Sequence, residues 1–402
     1  MIKQYVPENI ARKIESASGP DVSVDDIKYI KSGTICVDAA DYSGVVYDEK
    51  GNLCEASVTH RFDGHMAIPR CTPPCTRVAC NIDCIDDVVV FAGGGYIFSH
   101  FGHFLLEGLS RLYPALDKSY RDKKFVFIVS RKTKQLPGYV MTILSGLGIK
   151  PENIILINKT TRFAGVYVPP QSSIITKYIS PIMIETFNKI SKNLGNAKIK
   201  TYDKIYLSRS KMHDDRTFGE ERIEHIFAKN GYKIIWPETL PLTEQITLAR
   251  NCRVMAGTAG TALHLALFMK PHGTVIQIKR NKLAADSAEI QNDICTAKKL
   301  NFTYIAGSVE DIPTVHFTNT PQIIGVTEHL KQFFDDNKFR YTKNDIAFDC
   351  DAHAKYVVAL HRYNRKQKRT KVINFIARIV SVFGITKYNR QCLREGVINL
   401  FR

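Results

Sequence analysis

The sequence contains no uninterrupted apolar run approaching the ~20 residues a membrane-spanning helix requires, so no spanning segment is expected. Its opening stretch, MIKQYVPENIARKIESASGP, lacks the apolar core of a secretory signal, and the expected location is the cytoplasm. No internal repeat or low-complexity tract is evident. The ten cysteines form no compact disulfide framework, which fits a reducing compartment. Four of them, Cys71, Cys75, Cys80 and Cys84, share one stretch with Pro73-Pro74 between the first two. Four thiolates in a loop could bind zinc, but the short paired spacings of strong zinc motifs are missing, and reduced loop cysteines are the alternative.

Acid is scarce at one end. Residues 354–402 hold twelve Lys or Arg against the single Glu395, so +11 of the formal +17 lies there. The basic block HRYNRKQKRTK precedes VINFIARIVSVFGI, in which Val372, Phe375, Ile376, Ile379 and Phe383 share one side of a helix. A basic segment followed by an apolar face reads as a helix lying in an anionic membrane surface. The alternative is a packed C-terminal helix with a solvated basic face. No nucleic-acid-reading motif is recognisable and the charge is not spread around a folded groove, so nucleic acid is not the expected partner. A basic nucleic-acid-binding protein is nonetheless the competing class, with salt-sensitive affinity as its signature.

At 402 residues and 44% hydrophobic content the chain can hold two ordinary domains with substantial cores. Residues 1–60 read as an adapter, 61–197 and 198–330 as two alternating βα units joined by the polar segment Gly195–Lys198, and 331–402 as a helical basic tail. The fold class is α/β, with ligands expected at the carboxyl ends of the strands.

The chemistry concentrates between Ile205 and Ile278. Arg253–Met255 reads as a short strand, broken by Gly257-Thr258-Ala259-Gly260-Thr261 before an apolar helical run from Ala262 to Phe268. A glycine turn opening a helix presents unpaired N–H groups to an anion, most often a phosphate, although such turns also serve packing alone. Ile205–Leu207 is a second strand, followed by Ser208, Arg209, Ser210, Lys211 and Arg216. Guanidinium groups there can grip phosphate oxygens bidentately; a solvated loop, with Arg216 paired to Glu220, is the bland reading. Upstream, His103 and Glu107 lie four residues apart, on one helical face, while Leu105, Leu106, Leu109 and Leu112 face the core. A carboxylate one turn from an imidazole orients the ring and raises its basicity, which suits a general base; a purely structural pair is the alternative. His100 lies near the same face, so a metal site of His100, His103 and Glu107 is a further reading, without a clear fourth ligand.

These motifs together resemble the glycosyltransferase family 61 type. That family carries a strand ending in Ser-Arg, a later Arg and an Asn-Glu pair; Ser208-Arg209, Arg216 and Glu220 match, with Gly219 in place of Asn. Its Pro-Glu and Glu-Gln pairs are met by Pro237-Glu238 and Glu244-Gln245. Its turn, Gly-x-His-Gly-[SA]-x-Leu, corresponds to residues 257–263, with Ala259 where the His is usual. Its Asn-Tyr-x-His-[FW]-Leu-Leu-Glu pattern puts His103, Phe104 and Glu107 in register. The resemblance spans roughly residues 90–280. It implies a GT-B-like fold of two facing Rossmann-like domains and an inverting transfer from a nucleotide-sugar to a glycan hydroxyl. His103 and Glu107 would be catalytic. Arg209, Lys211, Arg216, Glu220, Glu238, Gln245, Gly257, Thr258, Gly260 and Thr261 would hold the donor, with no metal and no further cofactor. The expected setting is bacterial capsule or lipopolysaccharide assembly, peripheral on the cytoplasmic face of the inner membrane. An inactive nucleotide-binding scaffold of the same fold is the alternative that Ala259 leaves open.

Overall fold

The computed structural model describes residues 2–7, 20–38, 43–60, 66–67, 82–94, 100–130, 133, 135–212, 216–281, 288–310 and 320–382, with 66–67 and 373–382 by backbone only. Strand β1 (Ile2–Tyr5) precedes β2 (Lys28–Lys31), β3 (Thr34–Val37), β4 (Gly44–Tyr47), β5 (Asp83–Gly94), β6 (Lys124–Ile128), β7 (Ile154–Ile157) and β8 (Thr161–Val168). Strands β2 to β8 form one mixed sheet, ordered β4-β3-β8-β5-β6-β7 with β2 also on β8. Pairing is parallel along β8-β5-β6-β7 and antiparallel where β2, β3 and β4 join. The runs Val89–Ala92 and Phe125–Ile128 are apolar and buried throughout, the pattern of parallel strands covered on both faces.

The second sheet is wholly parallel. It comprises β9 (Lys204–Leu207), β10 (Lys233–Ile235), β11 (Val254–Thr258), β12 (Thr274–Lys279) and β13 (Asn301–Ala306), ordered β1-β13-β12-β11-β9-β10. The amino-terminal strand β1 closes its edge, with Ile2 opposite Phe302. The segment 1–60, expected as an adapter, thus feeds β1 to one sheet and β2–β4 to the other.

Helices α1 (Phe101–Leu106), α2 (Gly138–Leu147), α3 (Pro181–Leu194), α4 (Glu220–Lys229), α5 (Leu242–Asn251), α6 (Ala288–Ala297), α7 (Glu328–Asp336) and α8 (Cys350–Val382) complete the described framework. The architecture is mixed α/β with parallel strands, as the alternating pattern predicts. One continuous apolar cluster joins the two sheets through Val90 and Phe127, Phe104, Phe187 and Phe268, and Leu207 and Met255. A separate cluster packs Tyr206, Ala256 and Ile278 of the second sheet on Phe227 and Phe334 of α4 and α7. The segment Gly195–Lys198, expected as a linker, is docked: the Ala197 N–H donates to Thr247 Oγ1 at 3.0 Å. Arg111 is fully buried and donates to the carbonyls of Ala56, Val58 and Pro169, tying the chain after β4 to the end of β8. Burial lowers its pKa to about 10.

Two expectations change in detail. The run after the glycine turn is a 3-10 helix, Thr261–Phe268. Leu263 to Phe268 are all buried, so packing on every side, rather than one apolar stripe, sets its form. Within the tail, α8 is docked by Ala352, Tyr356 and Ala359 and pinned near its start by Arg222 and Asp349 at 2.9 Å. From His361 to Val372 it is exposed, with only Tyr363 and Arg369 partly covered. Among the described residues no helix is long and apolar enough to cross a membrane. Cys84 is exposed on β5, while Cys71, Cys75 and Cys80 of the zinc reading, and Phe383, lie outside the described residues.

Candidate active site

Helix α1 begins at Phe101 and is capped at its far end by Glu107. Leu105, Leu106, Leu109 and Leu112 are buried, and this anchoring turns His103 toward the partly open side. His103 Nδ1 meets Glu107 Oε2 at 2.6 Å, and Glu107 is only 5% exposed. An Nδ1–H donated to that carboxylate fixes the tautomer and the orientation of the ring. His100 lies edge-on to His103, with ring centroids 4.8 Å apart. Partial burial, and His103 beside it, lower the His100 pKa. Among the described residues no three His, Cys, Asp or Glu side chains group as metal ligands, so the reading of His100, His103 and Glu107 as a metal set has no such cluster behind it.

Gly102 brings this helix onto the glycine turn. A Cβ there would stand 2.9 Å from Thr261 Cγ2 and 3.4 Å from His264 Cδ2. The absence of a side chain lets α1 and the 3-10 helix touch. His264, which the motif reading passes over, is buried, and its Nδ1 faces Gln291 Oε1 at 3.2 Å. Burial, with His103 and His100 pushing the same way, lowers its pKa to about 4, so it is neutral at neutral pH.

The turn itself leaves the sheet between two strand ends. The Ala259 N–H donates to Ile278 O at 2.8 Å and the Leu263 N–H to Gly260 O at 3.1 Å. The amides of Gly260, Thr261 and Ala262 therefore stand outside the helical ladder. A Cβ on Gly260 would lie 3.5 Å from Arg209 Nη1 and 3.8 Å from Arg280 Nη2. Arg280 carries no motif signal; only the adjacency of β12 to β11 brings it there. Thr258 Oγ1, both side-chain polar atoms of Gln277 and both of Asn281 are buried without a hydrogen-bond partner among the described residues.

The remaining predicted residues divide between this edge and its supports. Glu220 is buried beneath the Arg209 loop, accepting from Tyr206 Oη and the Arg209 N–H, each at 3.1 Å. Burial raises its pKa to about 7. Lys211 Nζ lies 3.6 Å from the centroid of the Trp236 ring. Gln245 Nε2 donates to Pro237 O at 2.8 Å and Leu240 O at 2.9 Å, fixing the turn on which exposed Glu238 sits. Gly257 faces Leu207, whose carbonyl would be 2.7 Å from an added Cβ. The Arg216 carbonyl accepts the Gln322 N–H at 2.8 Å, and the next residue, Thr217, accepts from Arg280 Nη1 at 3.2 Å. The structure thus joins His103, Gly260, Thr261 and Arg209 in one region, and gives Glu220 and Gln245 supporting bonds.

No curated protein matches this chain. Residues 101–276, which run from the start of α1 through the glycine turn into β12, match the family model Glycosyltransferase 61. That match covers the segment that carries both the His103–Glu107 pair and the glycine turn, and it supports a glycosyltransferase of the 61 family.

Proposed function

We propose that the chain is an inverting, metal-independent transferase that moves a sugar from a nucleotide-sugar to a hydroxyl of a growing glycan. The observation that carries this reading is the contact of Gly102 with Thr261, which sets an imidazole–carboxylate pair against a turn ringed by cations. In a GT-B-like arrangement the donor lies on the second sheet. Its phosphates meet Arg209, Arg216 and the 257–261 turn, its base lies by Lys211 and Trp236, and Glu238 serves the ribose. His103 Nε2 takes the proton of the acceptor hydroxyl, whose oxygen attacks the anomeric carbon as the bond to the phosphate breaks. The leaving diphosphate gains charge in that step, and fixed N–H groups and guanidiniums stabilise it most at that moment. Those cations do the work a divalent ion would otherwise do, so no metal or other cofactor is required. The basic helix α8 brings the enzyme to an anionic membrane and a lipid-linked acceptor, in capsule or lipopolysaccharide assembly on the cytoplasmic face.

Transfer assays over a panel of nucleotide-sugars test this directly. His103→Ala is expected to lower turnover by about 10²–10⁴-fold while nucleotide binding, read by thermal shift, persists. Near-normal turnover in that variant would overturn the base assignment. Wild-type activity should survive EDTA, and a strict Mg²⁺ or Mn²⁺ requirement would reject the metal-free mechanism. A nucleotide-induced shift with no transfer for any sugar is the signature of the scaffold alternative.

A further inference from the structure

Strands β9, β11 and β12 are neighbours in a parallel sheet, so all three chains leave it at one edge. Arg209 follows β9, Gly260 follows β11 and Arg280 follows β12. Thr258 pairs with Ile278 at the end of that ladder, two residues before Gly260 and Arg280 respectively. β9 and β12 flank β11, and the guanidinium groups that follow them lie 3.5 and 3.8 Å from where the Gly260 Cβ would be. Gly260 has φ 155° and ψ 173°, a region essentially reserved for glycine, so conformation as well as space keeps this backbone bare. Arg280 is 7% exposed, and its Nη1 donates to Thr217 Oγ1 at 3.2 Å, which fixes its reach. At the same edge Thr258 is 2% exposed and its Oγ1 has no partner among the described residues. A buried hydroxyl with its bond unmade is costly, and a ligand oxygen would complete it.

We propose that Arg280 is a further guanidinium of the donor site, beside Arg209 and Arg216, and that Arg209 and Arg280 hold a nucleoside diphosphate between them across Gly260. This rests on the donor reading above. One planar fork satisfies one phosphate, whereas a diphosphate offers two charged groups to a pair of forks. The pair therefore selects diphosphate over monophosphate, and it grips the group that gains charge as the sugar departs.

Calorimetric titration of the full chain with UDP, GDP, CDP and ADP, and with their monophosphates, tests this. Wild type is expected to bind one diphosphate more tightly than its monophosphate. Arg280→Gln should weaken the diphosphate about ten- to hundred-fold while leaving the monophosphate almost unchanged. Arg280→Lys keeps the charge without the fork and should fall between. If Arg280→Gln does not fold, Arg280→Lys carries the comparison, since an ammonium can keep the Thr217 bond. Wild-type diphosphate affinity in the folded Arg280 variants, with loss in Arg209→Gln, would overturn the role of Arg280 and leave the donor reading intact. Equal loss of mono- and diphosphate would reject the two-phosphate grip. Failure of wild type to bind any nucleotide would overturn the donor reading and this inference with it.

Discussion

Glu220 holds the Arg209 loop from below, and its protonation is coupled to folding. Burial, reinforced by Glu224, raises its pKa from 4.5 to about 7. The native state therefore binds its proton more tightly than the unfolded chain between those values, and stability falls as pH rises through that window. The cost is absent below about pH 4.5 and fully present above about pH 7. Glu220→Gln keeps a carbonyl for the Arg209 N–H and removes the charge. We expect its melting temperature to match wild type near pH 4.5 and to exceed it at pH 8, by a stability difference on the order of a few kcal/mol. A variant less stable than wild type at pH 8 would show that the loop needs the carboxylate itself. At this scale the sequence is readable where chemistry is local. His103 and Glu107 are one helical turn apart, and the glycine turn is contiguous. Arg280 is invisible by the same logic, because only the order of parallel strands makes it a neighbour of Arg209.

Among the elements, α8 divides into a docked and an exposed half. Ala352, Tyr356 and Ala359 are buried, and burying one large side chain contributes roughly 1.5–3 kcal/mol. Beyond Leu360 the exposed stretch includes Arg362, Arg365, Lys366, Lys368 and Lys371. Deleting residues 361–402 therefore spares the docked half, and nucleotide binding should be unchanged. Sedimentation with vesicles rich in anionic lipid should be lost on deletion, and in the intact chain weakened by high salt, since each basic residue near such a surface contributes about 1 kcal/mol. Equal sedimentation of both forms would reject the tail as an anchor. Apolar patterning made the strands at Ile205–Leu207 and Arg253–Met255 legible, which the structure shows as β9 and β11. The 3-10 form of Thr261–Phe268 was not, because a segment buried on all sides carries no periodic signal. Nor was the place of β1, whose partner Phe302 lies at the far end of the βα series.

In the whole molecule, both halves of the proposed reaction meet where α1 touches the glycine turn. The missing side chain of Gly102 sets how near His103 comes to the donor edge. Within a helix, Gly→Ala is ordinarily stabilising by roughly 0.5–1 kcal/mol, so a loss of activity in Gly102→Ala would not reflect helix propensity. The added methyl would instead stand 2.9 Å from Thr261 Cγ2 and 3.1 Å from Thr261 Oγ1, forcing the two segments apart. Misplacement of a reacting group by about 1 Å can cost on the order of 10²-fold. A displacement of a few tenths of that should lower transfer by about tenfold while nucleotide affinity stays within a few-fold of wild type. Thr261→Ser removes Cγ2 and with it the closest contact. The double variant Gly102→Ala/Thr261→Ser should therefore recover most of the lost turnover, a coupling that neither substitution shows alone. Transfer rates and nucleotide affinities for the four proteins of this cycle decide the matter. Additive effects on transfer would mean that the Gly102–Thr261 contact does not set the distance between base and donor.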